Sequence, residues 1–274
     1  MIPAAFDYVR ADSPDHALSL LAEHGDEAKL LAGGHSLLPL MKLRLASPSV
    51  LIDVGRLSDL SYVRDGGDHV AIGALTRHRD LEISDLLAAE APILAHAAGQ
   101  VGDPQVRHRG TIGGSLAHAD PASDLPAVVL AMGGTMVARG PNGERTIPAA
   151  EFYRGFLESA LEPDELLTEI RVPKTGGAGW SFQKFNRRAQ DWAIVGVAAI
   201  RNNGSSGVAL VNMGSTPVYA QGVVDAVAAG ASAADAAEHA ADGAEPQSDI
   251  NASVEYRVHL AKVLVRRALE EAGG

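Results

Sequence analysis

Apolar and polar positions divide the first 55 residues into a helix and two strands. Residues 13–15 (Ser-Pro-Asp) supply a hydroxyl cap, a proline at the first helical position and an acid at the positive helix end, and Gly25 closes the helix. The apolar runs 29–32 and 50–54 have the length of buried strands. We therefore predict a small α/β unit in which the first strand leads into the pair Gly33-Gly34.

A second group of patterns covers the middle of the chain. Strands of one sheet are predicted at 69–73, 135–138 and 166–172, and helices from 76 onward, at 91–101 and at 125–132. Asn142-Gly143 is a typical hairpin turn. Between these elements, the segment 110–118 contains a second Gly-Gly pair, which we interpret as a loop.

The last third of the chain follows a glycine-rich stretch, 174–179, which is the best candidate for a linker. Beyond it we predict strands at 180–185, 194–200 and 207–213, with a turn at 202–207. The segment 223–244 contains 11 alanines among 22 residues and predicts a helix. A closing helix is predicted from Val254, Val258, Ala261 and Val265, which repeat at helical spacing.

Composition narrows the possible functions. The 274 residues carry a net charge of −11, which argues against binding to nucleic acid. There is no cysteine, so disulfides, thiolate-held zinc and cysteine-ligated iron–sulfur clusters on this chain are excluded. No run approaches the roughly 18 apolar residues of a membrane span, and residues 1–10 lack the apolar core of a secretory signal, so we expect a cytoplasmic protein.

The two glycine-rich segments, 32–36 and 111–115, share one physical design. Consecutive glycines allow close backbone approach and positive φ, so several N–H groups can converge on one anion. The sequence contains neither a Gly-Lys pair, which a Walker A loop requires, nor Gly-x-Gly-x-x-Gly, the Rossmann fingerprint. Either segment alone is equally typical of a simple turn. The pair, each following an apolar run and flanked by hydroxyls, favours a diphosphate site.

Longer motifs around these glycines carry a specific resemblance. Ala-Gly-Gly-His-Ser-Leu-Leu-Pro at 32–39 and Thr-Ile-Gly-Gly-Ser-Leu-Ala-His-Ala-Asp-Pro-Ala-Ser-Asp-Leu-Pro at 111–126 resemble the FAD-binding medium subunit of molybdenum hydroxylases. That family includes the carbon monoxide dehydrogenase flavoprotein, and the FAD domain of xanthine dehydrogenase is related to it. Residues 41–44, 51–54, 182–188 and 191–195 extend the resemblance over nearly the whole chain.

The resemblance implies an α+β fold with two domains. Residues 1–176 would form a two-lobed FAD-binding domain of the vanillyl-alcohol oxidase and UDP-N-acetylmuramate reductase type, with lobes at about 1–55 and 56–176. Residues 177–274 would form a smaller α+β carboxy-terminal domain of the carbon monoxide dehydrogenase flavoprotein type.

The resemblance also implies which residues contact FAD, which the family binds without a covalent bond. The two glycine segments would hold the diphosphate, Asp124 would accept hydrogen bonds from ribityl or ribose hydroxyls, and Ser115 stands where the family usually has Asn. The full expected set is Lys29, Leu31, Ala32, Gly33, Gly34, His35, Ser36, Leu37, Val101, Gly102, Thr111, Ile112, Gly113, Gly114, Ser115, His118, Asp124, Leu166, Leu167, Lys184 and Trp192. No catalytic acid, base or nucleophile and no metal site is expected.

Several of these residues have other interpretations. His35 could tether the flavin covalently, as in some proteins of the wider fold, although a pocket-lining role is favoured. His118, Asp120 and Asp124 lack a known metal-ligand spacing, and acids near a helix start are usually caps. Arg187 and Arg188 fit a solvated turn as well as a partner contact. Lys184 is assigned to the flavin, where a cation would stabilise the reduced anion.

The implied function is electron transfer within a molybdenum hydroxylase. Electrons would pass from a molybdenum cofactor in a large subunit, through [2Fe–2S] clusters in a small subunit, to FAD here and then to a quinone, NAD or dioxygen. A dimer of heterotrimers is expected, in the cytoplasm or peripheral at the inner face of the membrane. The alternatives are a self-sufficient FAD oxidoreductase and a non-catalytic FAD-binding assembly factor. The sequence names neither the substrate nor the acceptor.

Overall fold

The computed structural model describes residues 2–202 and 205–273. Its strands are β1 Asp7–Arg10, β2 Ala28–Leu31, β3 Val50–Asp53, β4 Val63–Asp65, β5 His69–Gly73, β6 Thr135–Gly140, β7 Gly143–Pro148, β8 Tyr153–Gly155, β9 Glu158–Ser159, β10 Leu166–Pro173, β11 Gly179–Phe185, β12 Val195–Asn202, β13 Ser205–Val211 and β14 Val218–Tyr219. Its α-helices are α1 Pro14–His24, α2 Leu37–Lys42, α3 His78–Glu82, α4 Asp85–Glu90, α5 Pro92–Gly99, α6 Pro104–Arg109, α7 Ile112–His118, α8 Asp124–Ala131, α9 Ala149–Phe152, α10 Gln221–Ala228, α11 Ala233–Ala237 and α12 Val254–Ala272, with 3-10 turns at Gly25–Glu27 and Ser58–Leu60.

The amino-terminal unit is a three-stranded parallel sheet in the order β1-β3-β2, with α1 packed against it. The side-chain oxygen of Ser13 caps α1 by accepting a hydrogen bond from the His16 N–H at 3.1 Å. At the other end Gly25 has a φ of 52°, the left-handed region that favours glycine. The predicted helix, both strands and the α/β unit are confirmed.

The second unit is a five-stranded antiparallel sheet in the order β4-β5-β10-β6-β7. The strands predicted at 69–73, 135–138 and 166–172 all belong to it, and Gly143, with a φ of 100°, turns the β6–β7 hairpin. The helices predicted near 76, 91–101 and 125–132 appear as α3, α5 and α8. Every residue of α8 is buried, which explains why its sequence is apolar throughout after Asp124.

The carboxy-terminal unit is a four-stranded antiparallel sheet, β11-β12-β13-β14, covered on both faces. Successive residues of β12 point in opposite directions: Ala198 and Ile200 join the core that contains α5 and α8, whereas Val197 and Ala199 join the core under α12. Because both faces are buried, residues 195–200 of β12 contain no polar side chain and do not alternate. The α+β class is confirmed, and within the described residues no helix is long and apolar enough to cross a membrane.

The prediction for the alanine-rich segment is wrong, and the turn predicted at 202–207 lies partly outside the described residues. The alanine-rich segment 223–244 is not one helix, because the chain breaks at Gly230, with a φ of 84°, and divides it between α10 and α11. The turn predicted at 202–207 centres on residues 203 and 204, which lie outside the described residues. The glycine-rich stretch 174–179 does connect two sheets, but Thr175 within it is buried and bonded through its N–H to the Glu90 carbonyl at 2.6 Å.

The central sheet offers a test of the packing. Ile72 on β5 is fully buried, and Ile72→Val removes one methylene from a site flanked by β4 and β10. We expect the free energy of unfolding to fall by about 1 kcal/mol in urea denaturation. The matched control is Ile83→Val, since Ile83 is 57% exposed and its replacement should leave stability unchanged. Equal effects at the two positions would contradict the assigned core.

Candidate cofactor-binding site

The first glycine segment leaves β2 and enters α2 through a turn whose amide groups are free. Gly34 has a φ of 81°, a conformation that glycine adopts without strain. The N–H groups of residues 33–37 donate to no acceptor in the part of the chain that the structure describes. Unpaired backbone donors are costly unless water or a ligand accepts from them, so five in succession form a suitable site for an anion.

The second glycine segment differs from the expected loop. Residues Ile112 onward form α7, so the predicted loop at 111–115 is wrong and the glycines occupy the first turn of a short helix. Its N–H groups already have partners: Ile112 donates to the Thr76 carbonyl at 3.0 Å and Gly113 to the Ala74 carbonyl at 2.8 Å. A Cβ on Gly113 would lie 2.6 Å from the Ala74 carbonyl oxygen, so this glycine is needed for backbone packing.

Thr111 caps this short helix. Its hydroxyl oxygen accepts a hydrogen bond from the Gly114 N–H at 3.2 Å, and its side chain is buried. Thr111→Val keeps the shape but removes the acceptor, so we expect a loss of about 1 kcal/mol of unfolding free energy. Thr146→Val on the exposed face of β7 is the control, and urea denaturation is the measurement. An unchanged midpoint in Thr111→Val would show that the cap contributes nothing.

The fold brings the two glycine segments into contact. A Cβ on Gly33 would lie 2.3 Å from the carbonyl oxygen of Arg109, which lies two residues before the second segment. Only a residue without a side chain allows this approach. The free donors of the first segment therefore lie beside the residues that lead into α7.

Asp124 and Lys184 meet in a buried ion pair. The Lys184 Nζ donates to the Asp124 carboxylate at 2.6 Å and to the Gln100 carbonyl at 3.0 Å. The two side chains are only 5% and 6% exposed. Burial raises the pKa of Asp124 to about 6, although the Lys184 charge opposes that rise. Lys184 belongs to β11, so the pair joins the third sheet to α5 and α8.

One oxygen of Asp124 remains without a partner. Its Oδ1 is completely buried and accepts no hydrogen bond from any described residue. A buried carboxylate oxygen of this kind is destabilising unless a donor satisfies it. A ligand hydroxyl would supply that donor, so this orphaned atom fits the ribityl or ribose contact that the sequence resemblance implies.

The other expected residues fall into two groups. Leu31, Ala32, Ser36 and Leu37 lie half-buried in or beside the first glycine segment, where His35 is exposed. Gly102, with a φ of 53°, and Val101 follow Gln100 at the end of α5, and His118 ends α7 with its pKa lowered by burial. These residues are close in sequence to the glycine segments or to Gln100, whose carbonyl accepts from Lys184.

The remaining expected residues are less closely grouped. Lys29 has an exposed side chain on β2, and Leu166 and Leu167 are buried in β10, in two different hydrophobic cores. Trp192 is 56% exposed and lines a cavity of about 300 Å³ with Phe156 and Arg257. It lies in the connection between β11 and β12.

Three further groups position the site and were not predicted from the sequence. The Gln100 carbonyl accepts from Lys184, the Arg109 carbonyl supports Gly33, and Arg77 donates to main-chain oxygens on both sides of the first segment. Main-chain carbonyls leave no mark in a residue pattern. Arg77 could have been noticed only as a charged residue directly after an apolar strand, which is a weak signal.

Comparison with known proteins agrees with this geometry. Residues 4–175 match the model of the FAD binding domain in molybdopterin dehydrogenase, and residues 180–272 match that of the CO dehydrogenase flavoprotein C-terminal domain. The chain is 42% identical to the carbon monoxide dehydrogenase medium chain of Hydrogenophaga pseudoflava, covering 99% of this chain and 98% of the relative. It is 41% identical to the 6-hydroxypseudooxynicotine dehydrogenase complex subunit alpha of Paenarthrobacter nicotinovorans, covering 99% and 96%.

The fold itself has a close counterpart among solved structures. A carbon monoxide dehydrogenase from Hydrogenophaga pseudoflava, which lacks the Mo-pyranopterin moiety of the molybdenum cofactor, superimposes with a TM-score of 0.95. The alignment covers 100% of this chain and 99% of that chain at 41% identity. The predicted order of an FAD-binding domain followed by a flavoprotein carboxy-terminal domain is thereby confirmed.

Proposed function

This chain belongs to the FAD-binding medium subunits of molybdenum hydroxylases, and on that premise we propose that it binds FAD non-covalently and relays electrons from [2Fe–2S] clusters of a partner subunit to an external acceptor. The observation that carries the cofactor assignment is the run of free N–H groups at 33–37 beside Arg109 and the start of α7. Bound FAD would supply the chemistry, because it accepts electrons singly and releases one or two.

The residues of the chain bind and orient the cofactor in this proposal. The amides of 33–37 donate to the diphosphate. The free Oδ1 of Asp124 accepts from a ribityl or ribose hydroxyl. The charge of Lys184 is already neutralised by Asp124. Lys184 therefore helps to orient and hydrogen-bond the cofactor more than it adds positive charge to the site. The other expected contacts, including Ser115, Leu167 and Trp192, are part of the same proposal.

The proposed partners are those that membership of this family implies. The chain has no cysteine to ligate an iron–sulfur cluster, so in this proposal the clusters lie on a small subunit and the molybdenum cofactor on a large one. We propose a cytoplasmic dimer of such heterotrimers, with the boundary between this chain's two domains at 176/177. Two relatives, one named for carbon monoxide and one for 6-hydroxypseudooxynicotine, are 42% and 41% identical to this chain. Because the two values are nearly equal, sequence identity in this subunit does not indicate the substrate.

Absorbance spectroscopy on the purified chain tests the cofactor assignment. We expect a yellow protein, or stoichiometric FAD uptake on titration, with the flavin released by acid because no covalent bond forms. Absence of both would refute the proposal. Flavin that stays with the acid-precipitated protein would indicate the covalent alternative.

Electron transfer is tested separately with a reduced [2Fe–2S] partner subunit. Bleaching of the bound flavin on mixing supports the relay, whereas a bound flavin that is not reduced favours a non-catalytic assembly factor. Flavin reduction by an organic substrate added to the isolated chain would favour a self-sufficient oxidoreductase.

A further inference from the structure

Arg77 makes an unusual pair of contacts between β5 and α3. Its side chain is half-buried, and one guanidinium nitrogen donates to the Arg109 carbonyl. The other terminal nitrogen donates to the Gly55 carbonyl at 3.2 Å. These two oxygens belong to segments 54 residues apart in the sequence, so Arg77 joins the amino-terminal unit to the segment that precedes α7.

Both carbonyls belong to residues that pack against the first glycine segment. A Cβ on Gly33 would lie 2.3 Å from the Arg109 oxygen, and a Cβ on Gly55 would lie 2.9 Å from the Ala32 oxygen. The segment 32–33 is thus held between Gly55 and Arg109, and Arg77 binds the main chain of both. Its position fixes the width of the space that the glycine segment occupies.

The neighbours of Arg77 align the second glycine segment in the same way. The His78 N–H donates to the Gly110 carbonyl at 3.0 Å, and the Thr76 carbonyl accepts from Ile112 at 3.0 Å. Residues 76–78 therefore set the register of 110–112, as a short antiparallel bridge between Arg77 and Thr111. One three-residue stretch positions both glycine segments.

Among the described residues the Arg77 guanidinium has no direct ion pair, and the carboxylates of Asp80 and Asp53 act on its charge only from a longer distance. Arg107 nearby, in contrast, is paired with Glu82 at 3.1 Å. Burial lowers the pKa of Arg77, but a guanidinium remains charged at neutral pH. A fixed positive charge therefore lies behind amides that face an anion site.

We propose that Arg77 is a positioning residue for the diphosphate of FAD: by binding the Gly55 and Arg109 carbonyls it holds the donors of 33–37 beside the start of α7, and its charge favours the anion that they bind. This inference rests on the proposed FAD binding. Because Arg77 is proposed to act on the diphosphate alone, its replacement should weaken the binding of ligands that contain a diphosphate and not of ligands that lack one.

The test compares the affinity of the full chain for FAD, ADP and riboflavin, which lacks the diphosphate. In Arg77→Gln we expect the affinity for FAD and ADP to fall by about 10- to 100-fold, since two charge-assisted hydrogen bonds are lost. Riboflavin affinity should stay within about threefold, because its ring and ribityl contacts do not depend on residues 33–37. Arg79→Gln is the matched control, because Arg79 is an exposed neighbour in a surface ion pair with Glu82.

Arg77→Lys separates the effect of the hydrogen-bond geometry from the effect of the positive charge. It also replaces Arg77→Gln in the test if that variant does not fold. A lysine keeps the charge but cannot reproduce the planar fork that reaches two carbonyls, so we expect at least a tenfold loss of ADP affinity here too. Unchanged ADP affinity in Arg77→Lys, or equal losses for ADP and riboflavin, would overturn the proposal. A wild-type chain that binds none of the three ligands would instead refute the proposed function.

Discussion

Gly33→Ala is expected to weaken FAD binding by about 100- to 10,000-fold. The added Cβ would lie 2.3 Å from the Arg109 carbonyl oxygen, and both atoms are held by main chain, so the first glycine segment must shift. A shift misaligns the N–H groups of 33–37. Loss of two hydrogen bonds to a charged group, at about 1.5–3 kcal/mol each, gives the stated range. Titration of the apoprotein followed by flavin fluorescence measures it.

The control for this experiment is Gly176→Ala, in the connection between the second and third sheets. A Cβ there would meet only the Ala89 carbonyl and the Glu90 side chain at 3.3 Å, in an exposed stretch away from both glycine segments. We expect normal FAD affinity in this variant. If Gly33→Ala also kept its affinity within threefold while folding normally, the diphosphate would have to bind elsewhere.

Lys184→Met is expected to lower the free energy of unfolding by about 3–5 kcal/mol at pH 8. Removal of the lysine leaves the buried Asp124 carboxylate without its cation, and an uncompensated buried charge is strongly destabilising. The double variant Asp124→Asn/Lys184→Met should regain most of that loss, because neither charge remains. Lys262→Met is the matched control, since Lys262 pairs with Glu238 on the surface and should contribute little.

The same pair predicts the pH dependence of stability. The pKa of Asp124 is raised from 3.8 to about 6 in the folded chain, so folding favours its protonated form. Its contribution to stability is therefore greatest below about pH 4 and falls as the pH rises to about 6, by about 3 kcal/mol in total. In Asp124→Asn this fall should disappear from urea denaturation measured across the range. An identical pH profile in wild type and variant would contradict the raised pKa.

Local patterns were sufficient to predict most of the secondary structure. The Ser13 cap with Gly25, the hairpin at Gly143 and the apolar run of α8 each depend on short stretches of sequence, and each was predicted correctly. The alanine-rich segment was predicted as one helix because alanine has the highest intrinsic helix propensity. A single glycine at 230, with positive φ, was enough to divide it.

The site could be predicted only in part, because it depends on contacts between distant segments. Two glycine pairs with the same local appearance have different roles: the amides at 33–37 are free, whereas Gly113 donates to Ala74 and packs against its backbone. The sequence cannot distinguish them, since the difference lies in what approaches each one. Asp124 and Lys184 were both assigned to the cofactor, but 60 residues separate them and their pairing is a property of the fold.

The burial of β12 and α8 has a consequence for how the chain can be divided. Sequence motifs separate an FAD-binding portion from a carboxy-terminal portion near residue 176, yet Leu125 of α8 and Ala198 and Ala209 of the third sheet belong to one continuous core. A fragment ending at the motif boundary would expose apolar side chains of α8 to solvent and to other copies of itself. We therefore expect the two portions to fold and unfold cooperatively, and any fusion protein or expression fragment to need both.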